Sequence, residues 1–284
     1  CTMALIHAGV RRVVVAATDP FPRVDGRGIE QLRQSGIQVD VGVLRELAEE
    51  QNAGFFKMMA EKKPLVTLKL ATSLDGRIAT ASGESQWITG PRARLAGHKL
   101  RASHDAIMVG SGTARADDPS LTCRLPGMAA RSPVRVVVSR EGRLPLQSKL
   151  ARTANDHPTW MIVAAGMPAE ALVAHEKAGI EIIRIGHDPE DEKLDLAIGL
   201  TALAERGITR LLVEGGSALA ASLLRARLVD RLVVFQAPVV LGADSLPAIG
   251  DLALDRLADA QAFERKATEV LASDLAATYI TREP

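Results

Sequence analysis

The sequence predicts an α/β protein whose sheet is mostly parallel and carries antiparallel strands at one edge. Short β-branched or apolar runs alternate with amphipathic segments along most of the 284 residues. Residues 133–139 contain four valines and have the continuous apolar character of a parallel strand that is buried on both faces. Residues 264–281 predict two further strands joined by a turn near Ser273 and Asp274, with no helix between them.

The first 62 residues predict a short alternation of helices and strands. They predict helices over 2–8, 28–35 and 44–61, and strands over 12–17 and 37–43. Gly9 and Gly36 follow the first two helices, where a glycine commonly ends a helix. Lys62-Lys63-Pro64 joins two charges to a proline, so we expect a domain of residues 1–62 and a second domain of residues 63–284.

The second domain shows a longer alternation. It predicts strands over 65–71, 106–109, 133–139, 159–165, 180–185 and 210–213, helices over 91–104, 168–178, 194–206 and 217–225, and a β-rich run over 228–241. Thr89 is a suitable N-cap for the helix that begins at Pro91. No internal repeat or low-complexity segment interrupts this pattern.

The composition excludes several classes of protein. A net charge of +1 indicates no polyanionic partner, and 3% aromatic residues are too few for base-stacking surfaces. The chain contains no apolar stretch of about 18 residues and no signal peptide pattern. Two cysteines, Cys1 and Cys123, do not make a disulfide framework. We therefore expect a cytoplasmic enzyme that acts on a small molecule.

A buried strand with one cation precedes a polar loop. Lys69 interrupts the apolar run 65–71, and an unpaired buried ammonium is costly. It either forms an ion pair with Asp75 or Asp117, or lies at the floor of a ligand site. Residues 82–87 then place hydroxyls, an amide and an indole on a loop, where α/β proteins commonly bind ligands. Trp87 is either a core residue or a wall of such a site.

Two glycine-containing turns are candidate phosphate sites. Gly110-Ser111-Gly112 begins like a dinucleotide fingerprint but lacks the third glycine, so it predicts a turn and disfavours a Rossmann domain. Glu214-Gly215-Gly216-Ser217 follows a strand and opens a helix, whose N-terminal N–H groups favour an anion. A tight strand-to-helix turn is the alternative. The histidines at 98, 104, 157, 175 and 187 show no metal-ligand spacing, and we expect surface or helix positions for them.

These motifs resemble one family in their order and spacing. The resemblance rests on Leu68-Lys69-Leu70-Ala71, Ser73-Leu74-Asp75-Gly76, residues 83–89, Leu100-Arg101, Gly112-Thr113, residues 116–119, Leu121-Thr122, Arg124 and residues 213–216. Together they resemble the reductase domain of the bifunctional riboflavin-biosynthesis deaminase–reductases, a domain similar in fold to dihydrofolate reductase. The resemblance implies reduction of 5-amino-6-(5-phosphoribosylamino)uracil with NADPH, and a homodimer.

The resemblance also implies the residues of the site. Catalysis is expected of Lys69, Asp117 and Glu214. Substrate binding is expected of Ser85, Arg101, Leu121, Arg124 and Glu214. Cofactor binding is expected of Ala71, Trp87, Thr113, Asp117, Arg140, Gly215, Gly216, Ser217, Ala218, Leu219, Ala220, Ala221 and Ser222. Arginine forks suit phosphate oxygens, although Arg101 can equally be a solvated helix residue. Arg140 replaces a residue that is often serine in the family, and it can neutralise the 2′-phosphate of NADPH or lie on the surface without a ligand.

Residues 1–62 resemble the C-terminal part of the zinc deaminase domain of the same family. Cys1 lies where that family has its second zinc cysteine, and the first cysteine and the H-x-E segment would precede it. We therefore expect a fragment without its native N-terminus, Cys1 as a lone zinc ligand without metal, and deamination only in the intact protein. Two alternatives remain: a pteridine reductase, which lacks the arginine pair, and a non-catalytic assembly module.

Overall fold

The structure is a computed structural model that describes residues 1–21, 24, 26–187 and 193–282. The chain divides into two compact units, Cys1–Lys63 and Pro64–Pro284. In the described residues no helix is long and apolar enough to cross a membrane.

The first unit is a small α/β unit with a two-stranded parallel sheet. Its described elements are α1 (Thr2–His7), β1 (Arg12–Val15), α2 (Arg27–Gln34), β2 (Gln38–Val41), α3 (Arg45–Gln51) and α4 (Ala53–Glu61). Arg12 of β1 pairs with Gln38 of β2, and the pairing continues to Val15 and Val41. Leu32 and Ile37 are buried.

The single helix predicted over 44–61 was wrong, because the structure has two helices separated at Asn52. The Asn52 side-chain amide donates to the Ala48 carbonyl at 2.8 Å, and the Asn52 backbone N–H donates to the same oxygen at 3.0 Å. Asparagine side chains compete in this way with the next turn of a helix.

The second unit is built on one large sheet. Its described strands are β3 (Leu65–Thr72), β4 (Arg77–Ala79), β5 (Ala106–Gly110), β6 (Val134–Val138), β7 (Thr159–Ala164), β8 (Ile180–Ile185), β9 (Arg210–Glu214), β10 (Arg231–Gln236), β11 (Leu246–Pro247), β12 (Phe263–Leu271) and β13 (Asp274–Thr281). Its described α-helices are α5 (Pro91–Ala102), α6 (Ser111–Asp117), α7 (Lys149–Arg152), α8 (Val173–Lys177), α9 (Leu196–Glu205) and α10 (Ser217–Arg225).

The nine strands of the large sheet have the order β12-β13-β10-β3-β9-β5-β6-β7-β8. Strands β10 to β8 in this order are parallel, and β13 and β12 are antiparallel additions beside β10. The predicted arrangement, a parallel sheet with antiparallel strands at one edge, is confirmed. Strands β4 and β11 pair separately, and the sequence analysis did not predict them.

Alternate residues of the parallel strands pack on opposite faces of the sheet. Met108 belongs to the apolar cluster that contains Leu200 and Leu223, from helices α9 and α10. Its neighbour Ile107 belongs to the cluster on the other face, with Leu150 of α7. A sheet covered on both faces explains the valine-rich sequence of β6.

The β-rich run predicted over 228–241 contains strand β10, Arg231–Gln236, which ends before Pro238, a residue that cannot donate to a neighbouring strand. Two other local predictions in this unit were wrong. Thr89 is not the N-cap of α5: Gly90 is, and its N–H donates to the Asp274 carboxylate at 2.6 Å. The turn predicted after Gly110 is helix α6, which carries Thr113 and Asp117.

Candidate active site

The carboxyl ends of the central strands bring a cation and an anion together. Lys69 of β3 lies in register with Glu214, the last residue of β9. The Lys69 Nζ atom is 3.7 Å from Glu214 Oε2, and it lies 5.7 Å from the centre of the Phe235 ring on β10. The ion-pair partners predicted for Lys69, Asp75 and Asp117, were wrong. Asp75 instead accepts from Ser73 Oγ and from the Gly242 N–H.

Arg101, from the last turn of α5, completes a three-residue ion-pair cluster. Its Nε donates to Glu214 Oε1 at 2.8 Å and its Nη2 donates to Oε2 at 3.0 Å, so the contact is bidentate. Its Nη1 donates to the Thr122 carbonyl at 3.1 Å. Only 15% of the Arg101 side chain is exposed, so the alternative of a solvated helix residue was wrong.

The cluster keeps Glu214 ionised. Burial alone raises the pKa of this carboxyl, but the charges of Lys69 and Arg101 and the Arg101 hydrogen bonds outweigh burial and lower the pKa to about 2. Two cations around one carboxylate leave a net positive charge, which suits an anionic ligand.

Arg124 extends the positive charge towards solvent. It lies in the connection between α6 and β6, and its side chain is exposed. Its Nε is 3.3 Å from Nε2 of His98, and its backbone nitrogen is 3.3 Å from Nδ1 of the same ring. Helix α5 thus supplies both Arg101 and His98. Sequence reasoning missed His98, although its spacing of three residues from Arg101 puts both on one helix face.

The turn between β9 and α10 comes close to helix α6. Gly215 and Gly216 have φ angles of +83° and +85°, which side-chain-bearing residues rarely adopt. A Cβ atom on Gly216 would lie 3.0 Å from Thr113 Oγ1, and one on Gly215 would lie 3.3 Å from Thr113 Cγ2. The glycines are therefore required by close packing, and Thr113 lies beside the N-terminus of α10.

Helix α10 divides the predicted cofactor residues into two groups. Leu219, Ala220 and Ala221 are buried in the apolar core, and the Ala220 N–H donates to the Gly216 carbonyl. The first turn, with half-buried Ser217 and exposed Ala218, is the part whose N–H groups lack intrahelical partners in any helix. Half-buried Ser222 lies further along the helix.

The connection after α6 carries further predicted residues. Asp117 is the last residue of α6, and its side chain is exposed. Asp118 follows with a φ of +39°, and its carboxylate accepts from the Lys149 N–H. Leu121 is buried against the core and has a φ of +54°. The turn at Asp118 redirects the chain towards Arg124.

The remaining predicted residues lie on loops and strand ends. Trp87 is 65% exposed, so its alternative as a core residue was wrong, and the Arg94 guanidinium carbon lies 4.7 Å from the centre of its ring. Ser85 is half-buried on the same loop, and Ala71 is half-buried on β3. Arg140 is exposed and follows β6, two strands from β9.

The described residues do not form a metal site. In this part of the chain, no group of three or more His, Cys, Asp or Glu side chains is arranged to hold a metal ion. Cys1 is exposed and Cys123 is buried, and both are free thiols. Cys1 alone does not fit a zinc site, which takes four ligands when structural and three when catalytic.

The sequence profile of the RibD C-terminal domain matches residues 64–276. A riboflavin biosynthesis protein RibD from Bacillus amyloliquefaciens is 39% identical over 249 residues, which cover 88% of this chain and 66% of that protein. The RibD of Aquifex aeolicus is 38% identical over 275 residues, which cover 97% of this chain and 74% of that protein. The chain therefore spans about two thirds to three quarters of the length of these relatives.

Solved structures agree with these sequence relatives. A RibD from Acinetobacter baumannii has a TM-score of 0.86 and 32% identity, covering 100% of this chain and 76% of that chain. A second solved structure, from Thermotoga maritima, has a TM-score of 0.83 and 29% identity, and the match covers 99% of this chain and 74% of that chain. That protein is described as a diaminohydroxyphosphoribosylaminopyrimidine deaminase/5-amino-6-(5-phosphoribosylamino)uracil reductase. The predicted α/β fold class is confirmed.

Proposed function

This chain belongs to the RibD family of riboflavin biosynthesis proteins, and we propose that its larger unit reduces 5-amino-6-(5-phosphoribosylamino)uracil to the ribitylamino product with NADPH. The observation that supports this most is the ion-pair cluster of Lys69, Glu214 and Arg101 beside exposed Arg124. With three cations and one carboxylate, these four side chains carry a net charge of +2. That charge complements a phosphate monoester dianion.

The residues around α10 fit a nicotinamide dinucleotide. Gly215 and Gly216 give the backbone the close approach that a diphosphate needs, and the N-terminus of α10 favours its charge. NADPH supplies a hydride, and the protein supplies orientation and exclusion of water. We assign Thr113, the first turn of α10 and Trp87 to cofactor binding.

We assign the proton and hydroxyl chemistry to Lys69 and Asp117. After the ribosylamine ring opens to an imine, hydride adds to C1′ and a proton adds to the imine nitrogen, so the C=N bond becomes C–N. To the Lys69 ammonium, whose Nζ is 3.7 Å from Glu214 Oε2, we assign the polarisation of that nitrogen. To Asp117, which is exposed at the end of α6, we assign hydrogen bonds from the ribose hydroxyls.

Arg124→Ala tests the phosphate assignment. We expect KM for the pyrimidine substrate to rise about tenfold to hundredfold, because a hydrogen bond to a charged group contributes roughly 1.5–3 kcal/mol. We expect kcat to change little, since Arg124 acts on a group remote from C1′. Steady-state NADPH oxidation with purified protein measures both constants.

Arg131→Ala is the matched control, since Arg131 is an exposed arginine of the same connection. It should leave KM unchanged. Normal kinetics for Arg124→Ala would contradict the phosphate assignment.

Arg140 is our candidate for the preference of NADPH over NADH. A cationic side chain at the carboxyl end of β6 can neutralise a 2′-phosphate. Arg140→Glu should raise KM for NADPH roughly tenfold or more and leave KM for NADH nearly unchanged, because NADH lacks that phosphate. Comparing the two cofactors on one preparation gives the measurement. An equal loss with both would instead assign Arg140 a structural role.

Two further assignments follow from the family. We propose that the larger unit forms a homodimer, and that the smaller unit is the C-terminal part of a zinc deaminase domain. The zinc chemistry of deamination needs ligands besides Cys1.

A further inference from the structure

His98 contacts Arg124 through both nitrogens of its ring. Arg124 Nε lies 3.3 Å from His98 Nε2, and the Arg124 backbone N–H lies 3.3 Å from His98 Nδ1. A neutral ring can accept a hydrogen bond in one of these two contacts at a time. Neither Arg124 group can accept a hydrogen bond, so the histidine must provide the acceptor.

A neutral imidazole has one acceptor nitrogen, and an imidazolium has none. His98 can therefore hold the Arg124 guanidinium only while its ring is neutral and the ring proton lies on Nδ1, which leaves Nε2 as the acceptor. Protonation removes the acceptor and places two cations 3.3 Å apart, which repel each other.

The charged groups around His98 favour the neutral ring. Burial lowers the pKa of His98 most, and the charges of Arg101 on its own helix and Arg124 on the facing connection lower it further. Glu214 of β9 and a backbone hydrogen bond with Thr122 act in the opposite direction. The Cys123 thiol contacts the backbone carbonyl of His98 at 3.6 Å. Together these groups lower the pKa of His98 and so favour the neutral ring.

We propose that His98 is a positioning residue, which orients the Arg124 guanidinium for the substrate phosphate while the ring is neutral and releases it on protonation. This inference rests on the proposed reductase function and on Arg124 as phosphate ligand. It assigns His98 no contact with the reacting atoms. Its effect should consequently appear in KM for the phosphorylated pyrimidine and not in kcat.

The test compares His98→Phe and His98→Gln. Phenylalanine has no acceptor, so His98→Phe should raise KM about threefold to tenfold at about pH 8, the range expected for one hydrogen bond. Glutamine offers a carbonyl acceptor that does not titrate. His98→Gln should keep KM near the wild-type value at about pH 8. Its KM should rise less than the wild-type KM as the pH falls below 6.5, the ordinary histidine pKa, because the pKa of His98 is lowered from that value. The substrate phosphate titrates identically with both enzymes. The ratio of the wild-type KM to the His98→Gln KM at each pH therefore reports the titration of His98 alone.

His187→Gln is the matched control, because His187 follows β8 at the outer edge of the sheet. It should follow the wild-type pH profile. In an Arg124→Ala background, His98→Phe should add no further increase in KM.

Identical pH profiles for wild type and His98→Gln would overturn the proposal, as would an unchanged KM for His98→Phe. If Arg124→Ala itself has a normal KM, the phosphate assignment fails first. If Arg124→Ala is impaired and both His98 variants behave as wild type, the inference about His98 alone fails.

Discussion

Glu214→Gln should reduce kcat/KM of the reductase at least about hundredfold and lower the free energy of unfolding by about 3 kcal/mol. The neutral amide leaves Lys69 and Arg101 without the carboxylate that balances them, and only 12–19% of the three side chains is exposed. Removing one member of a buried ion pair is costly because its partners remain charged and poorly solvated. Arg101 also loses the bidentate contact that fixes its orientation.

The effect on stability has a defined pH dependence. Its neighbours lower the pKa of Glu214 from its ordinary value of 4.5 to about 2, so its contribution to stability is complete above about pH 5. It is lost as the pH falls towards about 2. The difference in unfolding free energy between wild type and Glu214→Gln should therefore shrink over that window. Urea unfolding at several pH values measures it.

Glu181→Gln is the control for this experiment, since Glu181 pairs with Arg206 at 2.8 Å but both side chains are well exposed. Exposed ion pairs contribute roughly 0–1 kcal/mol to the free energy of unfolding, so this variant should remain close to wild type in stability and activity. Assays well below the melting temperature separate loss of activity from loss of fold. Near-normal kcat/KM for Glu214→Gln would exclude the carboxylate from the site.

Much of the fold could be predicted because its parallel strands are buried on both faces. The valines of β6 and the apolar run of β3 need to be buried on both faces, and a parallel sheet that is covered by helices on both faces provides that burial. Helix boundaries were less predictable where a side chain competes with the backbone, as Asn52 does between α3 and α4. Helix α6 was missed because its glycine-rich start also suits a turn.

The partners in the ion-pair cluster could not be predicted from their spacing in the sequence. Lys69 and Glu214 are 145 positions apart, and only the register of β3 against β9 brings them together. Asp75 and Asp117 were predicted as alternative partners of Lys69, and Glu214 was not considered for that role. The two arginines were named from the family resemblance, whereas His98 gave no signal except its spacing from Arg101.

Gly216→Val should weaken NADPH binding at least about hundredfold, the second large effect we expect. Gly216 has φ +85° and ψ 104°, a conformation that a β-branched residue adopts only with strain of about 1–3 kcal/mol. The new Cβ would also lie 3.0 Å from Thr113 Oγ1, a contact that is tight enough to push the Thr113 side chain away from the turn. Strain in the turn displaces the N-terminus of α10 from the position that we assign to the cofactor diphosphate.

Gly112→Val applies the same substitution to a neighbouring glycine that has no atom within 4 Å of an added Cβ and no positive φ. It should bind NADPH within a few-fold of wild type, because valine costs a helix little relative to glycine. Fluorescence titration with NADPH gives both dissociation constants without turnover, and thermal unfolding reports the shared effect on stability. Tight NADPH binding by Gly216→Val would contradict the assignment of the diphosphate to the β9–α10 turn.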